Sequence, residues 1–265
     1  MSAVRSVARR ERRSDGVSFA TVAWRQFRLE RRMFWRNPSA AFFGVLLPLG
    51  LLVIFGAVFA GSDKDLDVIV PGIAAMSIMS ATFTSLAYNL TTLRERGILK
   101  RLRGTPMPTS AYLSGLAGNA VANAALQLAI VIVVGKFVFG VAWPRDWGSM
   151  AIFAVAGVVS FTFLGVALSH LIPNPESAPA YVNAVFLPQI LIAGVFYDAQ
   201  DAPPVVHDVA QVLPLTHLID GLSAAMIDGE GVSQHWTALL VLALWGAVGA
   251  VFAIRGFSWE ARRGS

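Results

Sequence analysis

Polar side chains inside long apolar stretches are the residues of this 265-residue chain whose types and spacing could do chemistry. Asn119, Asn123 and Gln127 recur every four residues, a spacing that puts them on one face of a helix. Because a buried amide in lipid needs a partner, that face must meet protein or water. Two roles remain open for the amides, the lining of a substrate path and hydrogen bonding between helices.

Hydroxyl groups form a similar stripe earlier in the chain, and for these we favour packing over a path. The stripe consists of Ser77, Ser80, Thr84 and Tyr88. The candidate residues of a substrate path are Ser77, Thr84, Asn119, Asn123 and Gln127.

Catalytic and metal-binding patterns are missing from the sequence. It has no cysteine and no phosphate-binding glycine motif, and its four histidines do not form a zinc-type cluster. The segment Asp63–Asp67 resembles the start of a calcium loop, but Val68 and Ala74 replace the glycine and glutamate that such a loop needs. We therefore expect no catalytic residue, metal or cofactor in this chain. Acidic residues are also missing from the middle of every apolar stretch, which disfavours an ion-driven carrier.

The composition is that of a membrane protein. Apolar residues make up 55% of the chain, charged residues only 14%, and the mean hydropathy is +0.62. A soluble domain carries about 25% charged residues, so a soluble enzyme is excluded. Six stretches lack charged residues, and each is long enough for one membrane crossing. They are Asn37–Ser62, Val68–Leu93, Gly104–Gly135, Trp147–Pro175, Ser177–Tyr197 and Gly231–Ile254. The sequence thus predicts an all-α polytopic protein with six transmembrane helices.

The distribution of basic residues predicts the orientation. Of the 21 Lys and Arg residues, 18 lie in residues 1–37, in the loop 94–103 and in the tail from 255. Because short basic loops stay in the cytoplasm, we expect both termini on that side of a bacterial cell membrane.

The amino-terminal region divides into two parts. Residues 1–18 are expected to be disordered, and residues 19–37 to form an amphipathic helix at the membrane interface, followed by a six-span domain over 38–254 and a tail over 255–265. A solvated basic helix is the alternative for 19–37. Arg31-Arg32 before an apolar run also resembles a twin-arginine export signal, but five further spans follow it.

The longest loop, Asp198–Glu230, contains six acidic residues and no Lys or Arg. Its apolar residues are too dense for a solvated loop. We expect two short amphipathic helices, broken at Pro214, that fold back into the outer leaflet or cap the spans.

A short basic segment between the second and third stretches suggests a docking site. Ile98, Leu99 and Leu102 form an apolar patch among the five cations of 94–103. A generic basic loop would not need such a patch, so the segment favours contact with a cytoplasmic partner.

This segment, Glu95–Pro106, resembles the coupling-helix signature of ABC-2 type permeases, the membrane subunits of ABC exporters of the daunorubicin-resistance type. Other matching elements are Asn37-Pro38 with Phe42-Phe43 and Pro48-Leu49, Leu187-Pro188 through Phe196, and Pro214–His217 with Gly221-Leu222. Together they cover about residues 20–260.

The resemblance implies a half-transporter that pairs with a second permease, a homodimer being favoured, and with two copies of a separate ATPase that binds ATP and Mg. The residues it assigns to ATPase coupling are Glu95, Arg96, Gly97, Leu99, Lys100, Arg101, Leu102, Arg103 and Thr105. Those it assigns to an outer gate are Phe186, Leu187, Pro188 and Phe196.

We therefore expect an exporter of an amphipathic drug or lipid-like compound, in contact with membrane lipid and with no nucleic acid. The alternative is a membrane protein of the same fold that binds lipid or assists assembly without transport.

Overall fold

A computed structural model describes residues 19–36, 46–59, 63–98, 109–197 and 202–256, and these residues are helical with short connections. The helices are α1 (Phe19–Arg36), α2 (Leu47–Val58), α3 (Asp63–Met79), α4 (Ser85–Glu95), α5 (Thr109–Phe139), α6 (Trp147–Ser169), α7 (Ala178–Ile192), α8 (Pro204–Ala210), α9 (Pro214–Ser223) and α10 (Trp236–Gly256). Two π-helical segments, π1 (Ser80–Thr84) and π2 (Ala224–Asp228), continue α3 into α4 and extend α9.

Four helices in the described part of the chain are long and apolar enough to cross a membrane. They are Leu66–Glu95, Ser114–Phe139, Trp147–Ser169 and Trp236–Arg255. The expectation of an all-helical membrane protein with several spans is therefore confirmed.

The first and fifth predicted spans contain shorter helices. Helix α2 has 12 residues and α7 has 15, below the length of about 20 that a crossing needs. Residues 37–45 and 60–62, on either side of α2, lie outside the described residues. The count of six spans stays a prediction.

The long loop contains the two short helices expected of it. Helix α8 ends at Ala210, α9 begins at Pro214, and the pair is bent by 88°. The break at Pro214 is confirmed. If the bent pair were one broken span, the described helices would offer five crossings.

Helix α3 is the centre of the bundle. Every residue from Ile69 to Met79 is buried, and α2, α5, α6 and α9 pack around the helix. A helix that is apolar on all sides is buried on all sides, which explains this position. The core also includes Phe153, Phe161 and Leu218, each fully buried.

Glycines let the helices pack at backbone distance. A Cβ built on Gly72 would lie 2.2 Å from the carbonyl oxygen of Val195. A Cβ built on Gly165 would lie 2.6 Å from the carbonyl oxygen of Phe83, and one on Gly249 would lie 2.8 Å from the backbone nitrogen of Leu164. Small residues at helix contacts are the usual means of close approach in membranes.

Helix α1 lies within the segment 19–37 that the sequence predicts to be helical. Trp24, one of its aromatic residues, is 57% exposed. The face that packs on α5 is polar, since Gln26 and Glu30 are the buried residues of α1. Residues 1–18 lie outside the described residues, and so do residues 257–265, most of the expected tail.

Replacing Gly72 by alanine should lower the free energy of unfolding by about 1–3 kcal/mol, because the added methyl group meets a backbone oxygen that cannot rotate away. The measurement is thermal unfolding of the purified protein in detergent. Gly50→Ala is the matched control, because its Cβ has nothing within 4 Å, and it should leave the melting temperature unchanged or raise it. Equal melting temperatures for Gly72→Ala and the wild type would contradict this packing.

Candidate functional site: a polar cavity at the α1 end of the bundle

A cavity of about 810 Å³ lies between α1, the π1–α4 segment and the amino-terminal half of α5. We call it the amide cavity. Its polar lining comes from three elements and includes Gln26, Glu30, Ser80, Thr84, Ser85, Tyr88, Asn119, Asn123 and Gln127. The structure thus brings most of the polar residues of both predicted stripes to one place.

The three amides of α5 lie on its cavity face and are all more than nine-tenths buried. Asn123 accepts a hydrogen bond from Arg31, with 2.5 Å between Nη1 and Oδ1. The side-chain oxygens of Asn119 and Gln127 have no hydrogen-bond partner among the described residues. An unpaired buried acceptor costs about 1–3 kcal/mol, so these two oxygens suit a cavity that receives a donor from outside the chain.

The hydroxyl stripe divides between the cavity and the core. Ser77 is fully buried, and its hydroxyl donates to the Ile73 carbonyl oxygen at 2.7 Å, outside the cavity lining. Thr84 lines the cavity, and its hydroxyl oxygen has no partner in the described part of the chain. Among the hydroxyl candidates, Thr84 fits a path and Ser77 fits packing.

The π1 segment is part of the cavity wall. Its residues Ser80, Ala81 and Thr84 line the space, while Thr82 donates to the Ile78 carbonyl oxygen at 2.7 Å. Single π turns inside α-helices occur frequently at functional sites. Hydrophobic periodicity did not indicate this turn, because the charge-free stretch Val68–Leu93 continues through it.

Helix α1 supplies a wall that the sequence analysis missed. Gln26 donates to Glu30 across one turn at 2.7 Å, and both side chains are nine-tenths buried. Burial raises the pKa of Glu30, and the hydrogen bond from Gln26 opposes this only in part. The available signal was a pair of polar residues four apart in an aromatic-rich helix.

Arg31 joins α1 to α5. Besides its hydrogen bond to Asn123, its guanidinium lies 5.8 Å from the centre of the Trp35 ring. A cation over an indole face is favourable, so the guanidinium is held by both Asn123 and Trp35. The sequence pattern of α1 did not separate Arg31 from its neighbouring arginines.

The coupling candidates begin where α4 ends. Glu95 and Arg96 are exposed, and Gly97 ends the helix with a φ of +64°, a conformation that favours glycine. Leu99, Lys100, Arg101, Leu102, Arg103 and Thr105 lie outside the described residues. Arg94, counted among the five cations of 94–103, is buried against the end of α6.

The outer-gate candidates lie on α7 and just beyond its end. Phe186 is half-buried on α7, while Leu187 and Pro188 on the same helix are exposed. Phe196 lies beyond the end of α7 and stacks on Phe55 of α2, with ring centres 4.4 Å apart. Phe196 therefore ties the α7 exit to α2.

A second cavity, also of about 810 Å³, lies at the opposite end, between the start of α3, the exit of α7 and the α8–α9 hairpin. Its lining includes Asp208, Asp220 and Asp228. The acidic loop of the sequence thus encloses a space and does not extend away from the bundle.

Comparison with known proteins identifies the family of this chain. The model of the ABC-2 type transporter family matches residues 17–227, which contain the amide cavity and both hairpin helices. The chain belongs to the ABC-2 type transporter family. Its match to the daunorubicin-resistance subfamily is a matter of resemblance only.

Curated relatives are similar along much of the chain. The chain is 27% identical over 233 residues to the putative transport permease ycf38 of Porphyra purpurea, covering 83% of this chain and 79% of that protein. It is 22% identical over 227 residues to the putative transport permease YvfS of Bacillus subtilis, covering 83% and 91%. It is 23% identical over 174 residues to nodulation protein J of Sinorhizobium fredii, covering 65% of this chain and 66% of that protein.

The two kinds of amide should respond oppositely to replacement by leucine. Gln127→Leu removes a buried oxygen that has no partner, so the free energy of unfolding should stay equal or rise by up to about 1–3 kcal/mol. Asn123→Leu removes the hydrogen-bond acceptor of Arg31 and should lower the free energy of unfolding by about 1–3 kcal/mol. Melting curves of the two purified ABC-2 permease variants decide this, and the reverse order would contradict the assigned hydrogen bonds.

The packing of α1 should depend on pH through Glu30. Burial raises its pKa in the folded state, so the folded chain favours the protonated form. This contribution to stability is present below the ordinary carboxyl pKa and is lost as the pH rises through the raised value. The Glu30→Gln variant should melt with the wild type in acid and above it at neutral pH.

The readout is the difference in melting temperature between variant and wild type from about pH 4 to about pH 8, a range that brackets the ordinary carboxyl value. Glu176→Gln, at an exposed position between α6 and α7, controls for the loss of a carboxylate. A pH-independent difference for Glu30→Gln would show that Glu30 contributes nothing of this kind.

Proposed function

We propose that this chain is the permease subunit of an ATP-driven exporter that moves an amphipathic, drug-like or lipid-like compound outward across a bacterial cell membrane. Two copies of a separate ATPase supply ATP and Mg, and a second permease, of the same sequence, completes the pore. Family membership supports transport, and the observation that carries the proposal is the amide cavity inside the helical bundle.

The orientation follows from charge. The basic residues gather at the α1 end of the bundle, and the acidic hairpin lies at the other end. The positive-inside rule then puts the amide cavity in the cytoplasmic half, both termini in the cytoplasm and the second cavity on the outer side. In this arrangement α2 and α7 belong to the first and fifth of six spans.

The cavity can receive a compound from the inner leaflet. Helix α1 forms its wall toward the membrane interface, with Leu29 and Met33 lining the space and about half exposed. An amphipathic compound could place its apolar part along this wall and donate hydrogen bonds to the unpaired oxygens of Asn119 and Gln127. The polar head would then leave water without losing its hydrogen bonds, which lowers the cost of entering the membrane.

The coupling segment is the part of the chain through which the ATPase moves the helices. It begins at Glu95 and Arg96, at the end of a helix whose residues Ser85, Tyr88 and Thr92 line the amide cavity. An ATPase that binds the segment can therefore move α4 and reshape the cavity. The chain itself needs no catalytic residue for this work.

Two sets of variants should fail in different ways in the complex reconstituted with its ATPase. Leu99→Glu with Leu102→Glu should abolish co-purification of the ATPase, because charges replace the apolar docking patch. Asn119→Leu with Gln127→Leu should keep the ATPase but lower transport, and stimulation of ATP hydrolysis by substrate, at least about fivefold.

Matched controls come from the same chain. Arg255→Glu adds negative charge at an exposed position of α10 and should keep the ATPase bound, and Ser77→Ala should transport like the wild type. Full ATPase binding by the Leu99/Leu102 variant would refute the docking assignment. Wild-type transport by the Asn119/Gln127 variant would refute the substrate path and leave the amides a packing role.

A further inference from the structure

Arg94 is a buried arginine that joins the ends of two helices. It lies in the last turn of α4 and is only 4% exposed. Its Nη1 donates to the carbonyl oxygen of Ser169 at 3.0 Å, and its Nη2 donates to the carbonyl oxygen of Ile172. These carbonyls lie at the end of α6 and just beyond it, where a helix leaves acceptors without partners and has a negative dipole end.

The same place holds the end of a third helix. The His170 side chain is hydrogen bonded to the backbone of Ala253 in α10, and Arg94 is close enough to His170 to act on it electrostatically. We call Arg94, Ser169, His170, Ile172 and Ala253 the Arg94 junction. It ties α4, α6 and α10 together at one end of the bundle.

The junction lies directly beside the coupling segment. Glu95 and Arg96, the next two residues, are exposed, and the helix ends at Gly97. A force applied to residues 95–105 therefore reaches Arg94 before any other buried side chain of α4. Helix α7 follows Ile172 after a short turn and also packs against α4.

We propose that Arg94 is the positioning residue that carries movement of the coupling segment to α6 and α10, and that it does not contact the ATPase. This inference rests on the proposed function. A buried guanidinium that loses its hydrogen-bond acceptors is strongly unfavourable, so the contacts of the Arg94 junction persist when the coupling segment moves. The planar fork of arginine serves two carbonyls at once, which an ammonium group does not do in the same geometry.

The first test uses the purified complex of full-length permease and ATPase. Arg94→Gln should bind the ATPase like the wild type and hydrolyse ATP, but the amount transported per ATP should fall at least about fivefold. Arg94→Lys keeps the charge and should recover part of this ratio. Arg255→Gln, which removes an exposed cation at the end of α10, should leave it unchanged.

A purely structural role would lower folding yield, hydrolysis and transport together and would leave the transport-to-hydrolysis ratio unchanged, which would overturn the proposal. Loss of ATPase from the Arg94→Gln complex would overturn it too, by making Arg94 a docking residue. Absence of any ATPase from the wild-type complex would instead contradict the proposed function, and this inference with it.

A second measurement on the wild type keeps the inference testable if Arg94→Gln does not fold. Amide hydrogen exchange of residues 168–172 should differ at least about fivefold between the nucleotide-free and the ATP-trapped complex, since the junction carries the movement there. The same amides should respond less in Arg94→Lys. Identical exchange in both nucleotide states of the wild type would show that no movement reaches α6.

Discussion

Hydrogen bonding without water is the constraint on which the rest of this structure depends. In the hydrocarbon region of a membrane, a polar side chain must find its partner within the protein or in a cavity. Three buried hydroxyl groups meet this requirement locally, since Ser77, Thr82 and Thr91 each donate to a carbonyl four residues earlier. These hydroxyls need no tertiary partner and therefore do not mark a site.

The amides of α5 need partners on other elements, and for this reason their positions indicate a site. Asn123 accepts a hydrogen bond from the Arg31 guanidinium of α1, whereas the oxygens of Asn119 and Gln127, two residues that line the amide cavity, have no partner among the described residues. Helix α5 thus carries one amide oxygen that accepts a hydrogen bond and two that do not. The hydrogen bond to Asn123 holds α1 against the bundle, and the oxygens of Asn119 and Gln127 remain able to accept a hydrogen bond from a bound compound.

The sequence correctly predicted the parts of this structure that follow from charge-free stretches, proline positions and residue spacing. The charge-free stretch Val68–Leu93 became the long helix Leu66–Glu95, and the break at Pro214 separates α8 from α9. Four-residue spacing correctly grouped the amides. It did not identify Gln26, Glu30 or Arg94, because spacing shows which residues share a face and not which element that face meets. An arginine in a basic loop and an arginine that caps a distant helix have the same local sequence.

Helix α4 places the amide cavity beside the coupling segment. It has 11 residues, about 16 Å of helix, and residues along its length from Ser85 to Leu93 line the cavity, as does Arg96 just beyond its end. A helix this short does not bend appreciably without a break, so displacement at one end appears at the other. The π1 turn is the break in the hydrogen-bond register where that displacement can be absorbed, and its residues Ser80 and Thr84 line the cavity. In the proposed function, movement of the coupling segment therefore changes the cavity wall, while residues 69–79 of α3, on the other side of the π1 turn, are buried in the core.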